Sequence, residues 1–133
     1  MKKYRILLES GLRPTPNKHE LNAASIIADY FMSDILFLRR NPNASPDFLI
    51  IKTNKIWELK SPIGNGKRTV ANNLRRAASQ SKNVILDFSR CKLNNESALS
   101  KVRGFLKSGD STLDRLLIID KRGRVLDFFD KKR

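Results

Sequence analysis

The chain has 133 residues and a mass of 15.2 kDa, with 40% hydrophobic and 30% charged residues. That is one domain's worth, able to bury about two-thirds of its unfolded surface, and its composition excludes an intrinsically disordered segment. Lys and Arg number 27 against 13 Asp and Glu, giving +14 and a pI near 10.4, which calls for a polyanionic partner, nucleic acid ahead of an anionic membrane.

The first 13 residues read as an N-terminal extension. Their apolar run, Ile6 to Leu8, is too short for a signal-peptide core and Glu9 follows at once, so no export signal is expected, and no stretch reaches transmembrane length. A piece excised from a longer exported chain would look the same. Residues 11–18 (GLRPTPNK) read as a loop. Residues 19–32 carry Ala23, Ala24, Ile27, Ala28 and Phe31 at helical spacing, with Asn17 as N-cap and Glu20 three residues on, as in a capping box. Ile35 to Leu38 is a strand, broken by Asn41-Pro42-Asn43. Residues 47–51 and 56–60 form a hairpin with Thr53-Asn54 near its tip, and residues 61–67 form a Pro/Gly loop. A second helix spans 68–82, a buried strand 84–88, a third helix about 95–107, and strands lie near 115–120 and 124–129. The expected fold is α/β: one domain over 1–133, core 14–129, with a mixed central sheet flanked by helices and a basic tail at 130–133.

The single Cys91 excludes a disulfide framework and a cysteine-rich zinc site, and the single His19 excludes multi-histidine metal sites. The chemistry therefore rests on acids. With Thr53 and Asn54 as turn residues, Leu49 faces Glu58 and Asp47 faces Lys60, so Asp47, Glu58 and Lys60 emerge on one face. Asp47 and Glu58 are then diagonal neighbours, about 7–8 Å apart at Cα. Two carboxylates inside apolar runs are costly to bury unless paired or metal-bound, and the oxygen set suits Mg²⁺. An edge hairpin with solvated or ion-paired acids is the plainer reading of the same spacing. Glu20 shares the inward stripe of its helix with Ala24 and Ile27, which suits a ligand acting through a metal-bound water, or simply the cap.

The second helix supplies anion contacts. Asn72, Arg76 and Gln80 are spaced by four, Thr69 and Asn73 lie beside them, and Arg68 and Arg75 flank the stripe. Gly64-Asn65-Gly66-Lys67 precede the helix, whose N-terminus itself attracts anions. Between Lys52 and Lys82 the acid is Glu58, against Lys52, Lys55, Lys60, Lys67, Arg68, Arg75, Arg76 and Lys82.

Pro46-Asp47 and Glu58-Leu59-Lys60 resemble the PD and (D/E)XK motifs of the PD-(D/E)XK nuclease superfamily. Together with His19-Glu20, Trp57-Glu58-Leu59-Lys60-Ser61-Pro62 and the downstream Thr69, Asn72, Gln80, Ser81 and Asn83-Val84-Ile85, they are similar to the tRNA-nuclease toxin domains at the C-terminus of CdiA proteins, the effectors of contact-dependent growth inhibition. The likeness spans about residues 14–127. It implies a restriction-endonuclease-like fold and cleavage of RNA, tRNA before DNA, with Mg²⁺ or another divalent cation such as Mn²⁺ or Zn²⁺. It implies Asp47 and Glu58 as metal ligands, Lys60 as the catalytic lysine, Glu20 as the first-helix acid and Gln80 as the polar residue of the following helix. It also implies delivery into a neighbouring bacterium, action in that cell's cytoplasm, and a cognate immunity protein. On this reading the Leu59 carbonyl joins the metal ligands, and Arg76, Gln80 and Arg75 clamp backbone phosphates.

Three other readings stay open. The same motif serves DNA endonucleases. His19, at a loop-to-helix junction, suits metal-free RNA cleavage through the 2′-hydroxyl, although no partner base is evident. A non-enzymatic basic nucleic-acid-binding protein explains the charge and leaves the acid pair unexplained; a membrane role is not expected.

Overall fold

In a computed structural model that describes residues 3–38, 46–64, 68–108 and 112–132, the first helix, α1 (Lys18–Phe31), starts at the expected capping box. Glu20 N donates to Asn17 Oδ1 at 2.8 Å and Asn17 N donates back to Glu20 Oε1 at 3.0 Å, which satisfies two amides at the helix start. The helix buries Ala23, Ala24, Ile27 and Ala28. The other elements follow in chain order: strands β1 (Ile6–Leu8), β2 (Ile35–Leu38), β3 (Asp47–Ile50), β4 (Lys55–Lys60), β5 (Asn83–Asp87), β6 (Arg115–Ile119) and β7 (Val125–Asp130), and helices α2 (Thr69–Gln80) and α3 (Asn95–Lys107). The fold is mixed α/β, as the alternation of strand and helix patterns predicts.

Contacts divide the chain into two compact units, Met1–Glu58 and Leu59–Arg133, with the boundary inside β4. In the first unit β1 runs parallel to β2, and β2-β3-β4 form an antiparallel meander. Strand β1 lies inside the segment expected to be an extension. Three residues are too few to display alternation, and pairing is what makes them a strand. Arg5 anchors it: its backbone N–H and its guanidinium both donate to Asp34, and Ile35 N donates to Arg5 O at 3.0 Å. The bond from the Arg5 amide, aided by its guanidinium, holds the Asp34 carboxyl below the usual range.

In the second unit β5 and β6 are parallel and β7 returns antiparallel to β6, with a bulge at Leu116/Leu117. Helices α2 and α3 bury Val70, Leu74, Ala77, Ala98, Val102 and Phe105 against the sheet face formed by Val84, Leu86, Leu116 and Ile118. The β6–β7 turn is tied by one carboxylate. Asp120, 2% exposed, accepts from Arg122 N and Arg124 N at 2.9 Å each and from Arg124 Nε at 2.8 Å. Burial raises its pKa, but the bonds from Arg124 and Arg122 outweigh burial and hold it below the ordinary carboxylate value.

Among the described residues no helix is long and apolar enough to cross a membrane.

Two outcomes follow from these contacts. A Cβ added to Gly104, inside α3, meets nothing within 4 Å. Gly104→Ala should therefore raise stability by about 1 kcal/mol through helix propensity, seen as a higher thermal midpoint. Because the Asp120 pKa is depressed on folding, its contribution is present above its unfolded pKa of about 3.9 and is lost as pH falls through the lower folded value. Asp120→Asn should cost about 2 kcal/mol at pH 7 and show a shallower loss of stability below pH ~4 than the wild type, measured by urea unfolding across pH.

Candidate functional site

The site is built on the β3–β4 hairpin. Its turn is Ile51–Asn54, where Thr53 N and Asn54 N donate to Ile50 O at 3.2 and 2.8 Å, and Asn54 takes the left-handed conformation (φ 57) that asparagine tolerates. Ile50 pairs with Lys55, Leu49 with Ile56, Phe48 with Trp57 and Asp47 with Glu58. This differs from the pairing expected for a two-residue turn, in which Asp47 stood opposite Lys60 and Leu49 opposite Glu58. The turn takes four residues, and the register moves by two. An even shift leaves every side chain on its expected face. It also places the two acids directly opposite each other, with Cα atoms roughly 4.5–5.5 Å apart instead of diagonal.

The two faces of the hairpin differ sharply. Phe48, Ile50, Trp57 and Leu59 share one face and are all buried. Phe37 of β2 meets Phe48 edge-on at 4.8 Å, and Phe31 of α1 reaches Trp57 at 5.7 Å. The opposite face carries Asp47, Leu49, Ile56 and Glu58, and pleating along β4 puts Lys60 on it too. Leu38 lies beside Asp47 in register, and one row away Leu7, Leu36, Leu49 and Ile56 line up across four strands. Asp47 is 5% exposed and Glu58 2%; Lys60 is half-buried. Two carboxylates side by side with so little water repel each other, so the arrangement favours a cation between or beside them. Lys60 carries the positive charge that β4 itself places on that face.

Glu20 sits half-buried in the first turn of α1, with its carboxylate closing the cap, and His19 beside it is exposed. Among the described residues no three His, Cys, Asp or Glu side chains gather as a metal cluster, so no third carboxylate joins Asp47 and Glu58.

Helix α2 presents Asn72, Arg76 and Gln80 to solvent at four-residue intervals, with Thr69 and Asn73 half-buried beside them; Asn73 Nδ2 donates to Thr69 O at 2.8 Å. Arg68 is the N-cap residue, exposed and without a capping side-chain bond. Lys67 lies outside the described residues. Arg75 flanks the stripe of Asn72, Arg76 and Gln80. Its guanidinium donates to Asn72 Oδ1 at 2.9 Å, and it borders a groove of about 810 Å³ between α2 and α3. Lys101, Gly104 and Phe105 line the α3 side of that groove. No motif spacing marks these three, because their meeting with Arg75 depends on how the two helices pack.

The family model for the contact-dependent growth inhibition CdiA C-terminal domain matches residues 44–125. The chain belongs to this family. The matched span of this CdiA C-terminal domain holds the acid-pair hairpin and the polar helix α2. Among solved structures, the CdiA-CT/CdiI toxin and immunity complex from Burkholderia pseudomallei is similar in fold, with a TM-score of 0.56 at 13% identity, covering 90% of this chain and 96% of that one. No curated protein matches.

The capping geometry has a measurable consequence. Glu20→Ala should lose about 0.5–1 kcal/mol of stability, whereas Glu20→Gln, which still accepts from the Asn17 amide, should lose less than half of that, as read by urea unfolding followed by circular dichroism.

Proposed function

We propose that this CdiA C-terminal domain is a toxin effector that hydrolyses phosphodiester bonds in RNA, with tRNA as its principal substrate, in the cytoplasm of a target bacterium. The observation that carries the reading is the buried, directly paired Asp47 and Glu58 with Lys60 two residues along the same strand. Hard oxygen donors of this kind suit a hard divalent ion. Mg²⁺ is ordinarily held by one or two carboxylates together with substrate phosphate oxygens, so a pair that no third acid joins among the described residues suits it. Asp47 and Glu58 would hold Mg²⁺, with Mn²⁺ or Zn²⁺ as substitutes and the Leu59 carbonyl as a further oxygen. Bound there, the ion supplies Lewis-acid stabilisation of charge on the phosphate.

The remaining roles belong to the chain. Lys60 orients the attacking water and offsets the negative charge that grows in the transition state. Thr69, Asn72, Arg76 and Gln80 offer hydrogen-bond and charge partners to backbone phosphates, which position the strand without reading its bases. Glu20 has at most an outer role, through water, since its carboxylate is engaged in the α1 cap. The preference for RNA rests on the likeness to tRNA-nuclease toxins. Because the similar Burkholderia structure is a toxin and immunity complex, a cognate immunity protein is proposed as a partner here too.

The test is cleavage of purified tRNA and of plasmid DNA, with Mg²⁺ and with EDTA. The wild type should cut tRNA only with the metal. Glu58→Gln and Lys60→Met, checked for native circular dichroism, should each lose roughly a thousand-fold or more in rate, because both act on transition-state charge. Wild-type rates in both variants, or undiminished cutting in EDTA, would overturn the mechanism; cleavage of DNA alone would overturn the substrate.

A further inference from the structure

The groove between α2 and α3 has no role in the reading above. Its floor is small and apolar: Ala71 and Ala78 from α2, Gly104 and Phe105 from α3. Arg75 and Lys101 stand on its two sides, both exposed, and no acid is among the described residues lining it. The two helices carry Arg75, Arg76, Lys101, Arg103 and Lys107 against the single acid Glu96. The middle of the groove is open at Gly104, where an added Cβ meets nothing within 4 Å. A glycine in the interior of a helix costs stability relative to alanine. Among the described residues no neighbour comes close enough to require it.

We propose that this groove docks an acidic amphipathic helix of a partner protein. Small residues on both walls let a third helix approach closely, at the 8–10 Å spacing of packed helices. The length of α2, twelve residues or about 18 Å, matches some three turns of such a helix. An apolar stripe on the partner buries against Ala71, Ala78 and Phe105, and its flanking carboxylates meet Arg75 and Lys101. A nucleic-acid backbone suits the groove less well. Phosphates pressed on that apolar floor would lose hydration there, and of the lining hydroxyls Ser79 and Thr112 already donate to Arg76 O and Ala78 O, which leaves the contact chiefly to Arg75 and Lys101. The inference rests on α2 and α3 alone and stands whether or not the acid pair cleaves RNA.

The test uses the full chain and three fluorescent probes: an 18-residue helical peptide with an Ala/Leu stripe and a Glu-rich polar face, the same stripe with a Lys-rich face, and tRNA. Binding is followed by anisotropy at physiological salt. The wild type should bind the acidic peptide saturably and the basic one not at all. Gly104→Trp, which fills the groove without changing charge, and Lys101→Glu should each weaken peptide binding about ten-fold or more. Gly104→Ala should weaken peptide binding less than Gly104→Trp does, because one methyl group takes up less of the groove than an indole. Gly104→Trp should leave tRNA affinity unchanged. Equal peptide affinity in wild type and Gly104→Trp, or no saturable peptide binding by the wild type, overturns the proposal. Loss of tRNA binding in Gly104→Trp with peptide binding intact assigns the groove to nucleic acid instead.

Discussion

Two carboxylates held opposite each other on a nearly dry strand face repel, and the rest of the first unit is arranged so that they stay there. The restraint comes from the other side of the hairpin. Phe48 faces Trp57 across the strands, Phe37 meets Phe48, and Phe31 reaches from α1 to Trp57. A slip of one residue in either strand would turn that strand's aromatic rings to the opposite face and lose their burial, several kcal/mol in all. The aromatic face thus holds the register, and the register holds the acids. On the proposed reading, such an acid pair is positioned in advance, as electrostatic catalysis requires.

The charge of the chain complements this local negative spot. A net charge of +14 favours approach of a polyanion, while Asp47 and Glu58 form a buried acidic point on a molecule of net positive charge. On the proposed reading, attraction over the surface and metal binding are separable tasks carried by different elements. The hairpin carries the acids, and α2 carries none while exposing Asn72, Arg76 and Gln80. Helix α2 can do this because its buried residues are Val70, Leu74 and Ala77, with Ala78 packed beside them, leaving the remaining positions to polar and small residues. The same economy of burial creates the groove on its α3 side, where Ala71 and Ala78 meet Gly104.

Much of this was legible beforehand, and the reasons differ from element to element. The α1 start was readable because a capping box is a contact between residues three apart. Helix α3 was readable because its period is local. The hairpin was readable from two apolar runs separated by a polar turn, and its faces followed from pleating. Its turn length was not readable, since KTNK accommodates two or four turn residues and the choice is made by cross-strand packing of Phe48 on Trp57. Strand β1 was missed because Ile6–Leu8 becomes a strand only through β2 and the Arg5–Asp34 tie, twenty-nine positions away in sequence.

By itself the sequence determined the α/β class, the basic character of the molecule, and the presence of two acids and a lysine on one strand face, because each depends on composition or on short-range periodicity. Only the tertiary structure decided that the acids stand directly opposite, that among the described residues no third carboxylate stands beside the pair, and that Arg75 borders a groove with Lys101. Those outcomes depend on which distant side chains compete for the same buried space, and a periodic pattern carries no record of that competition.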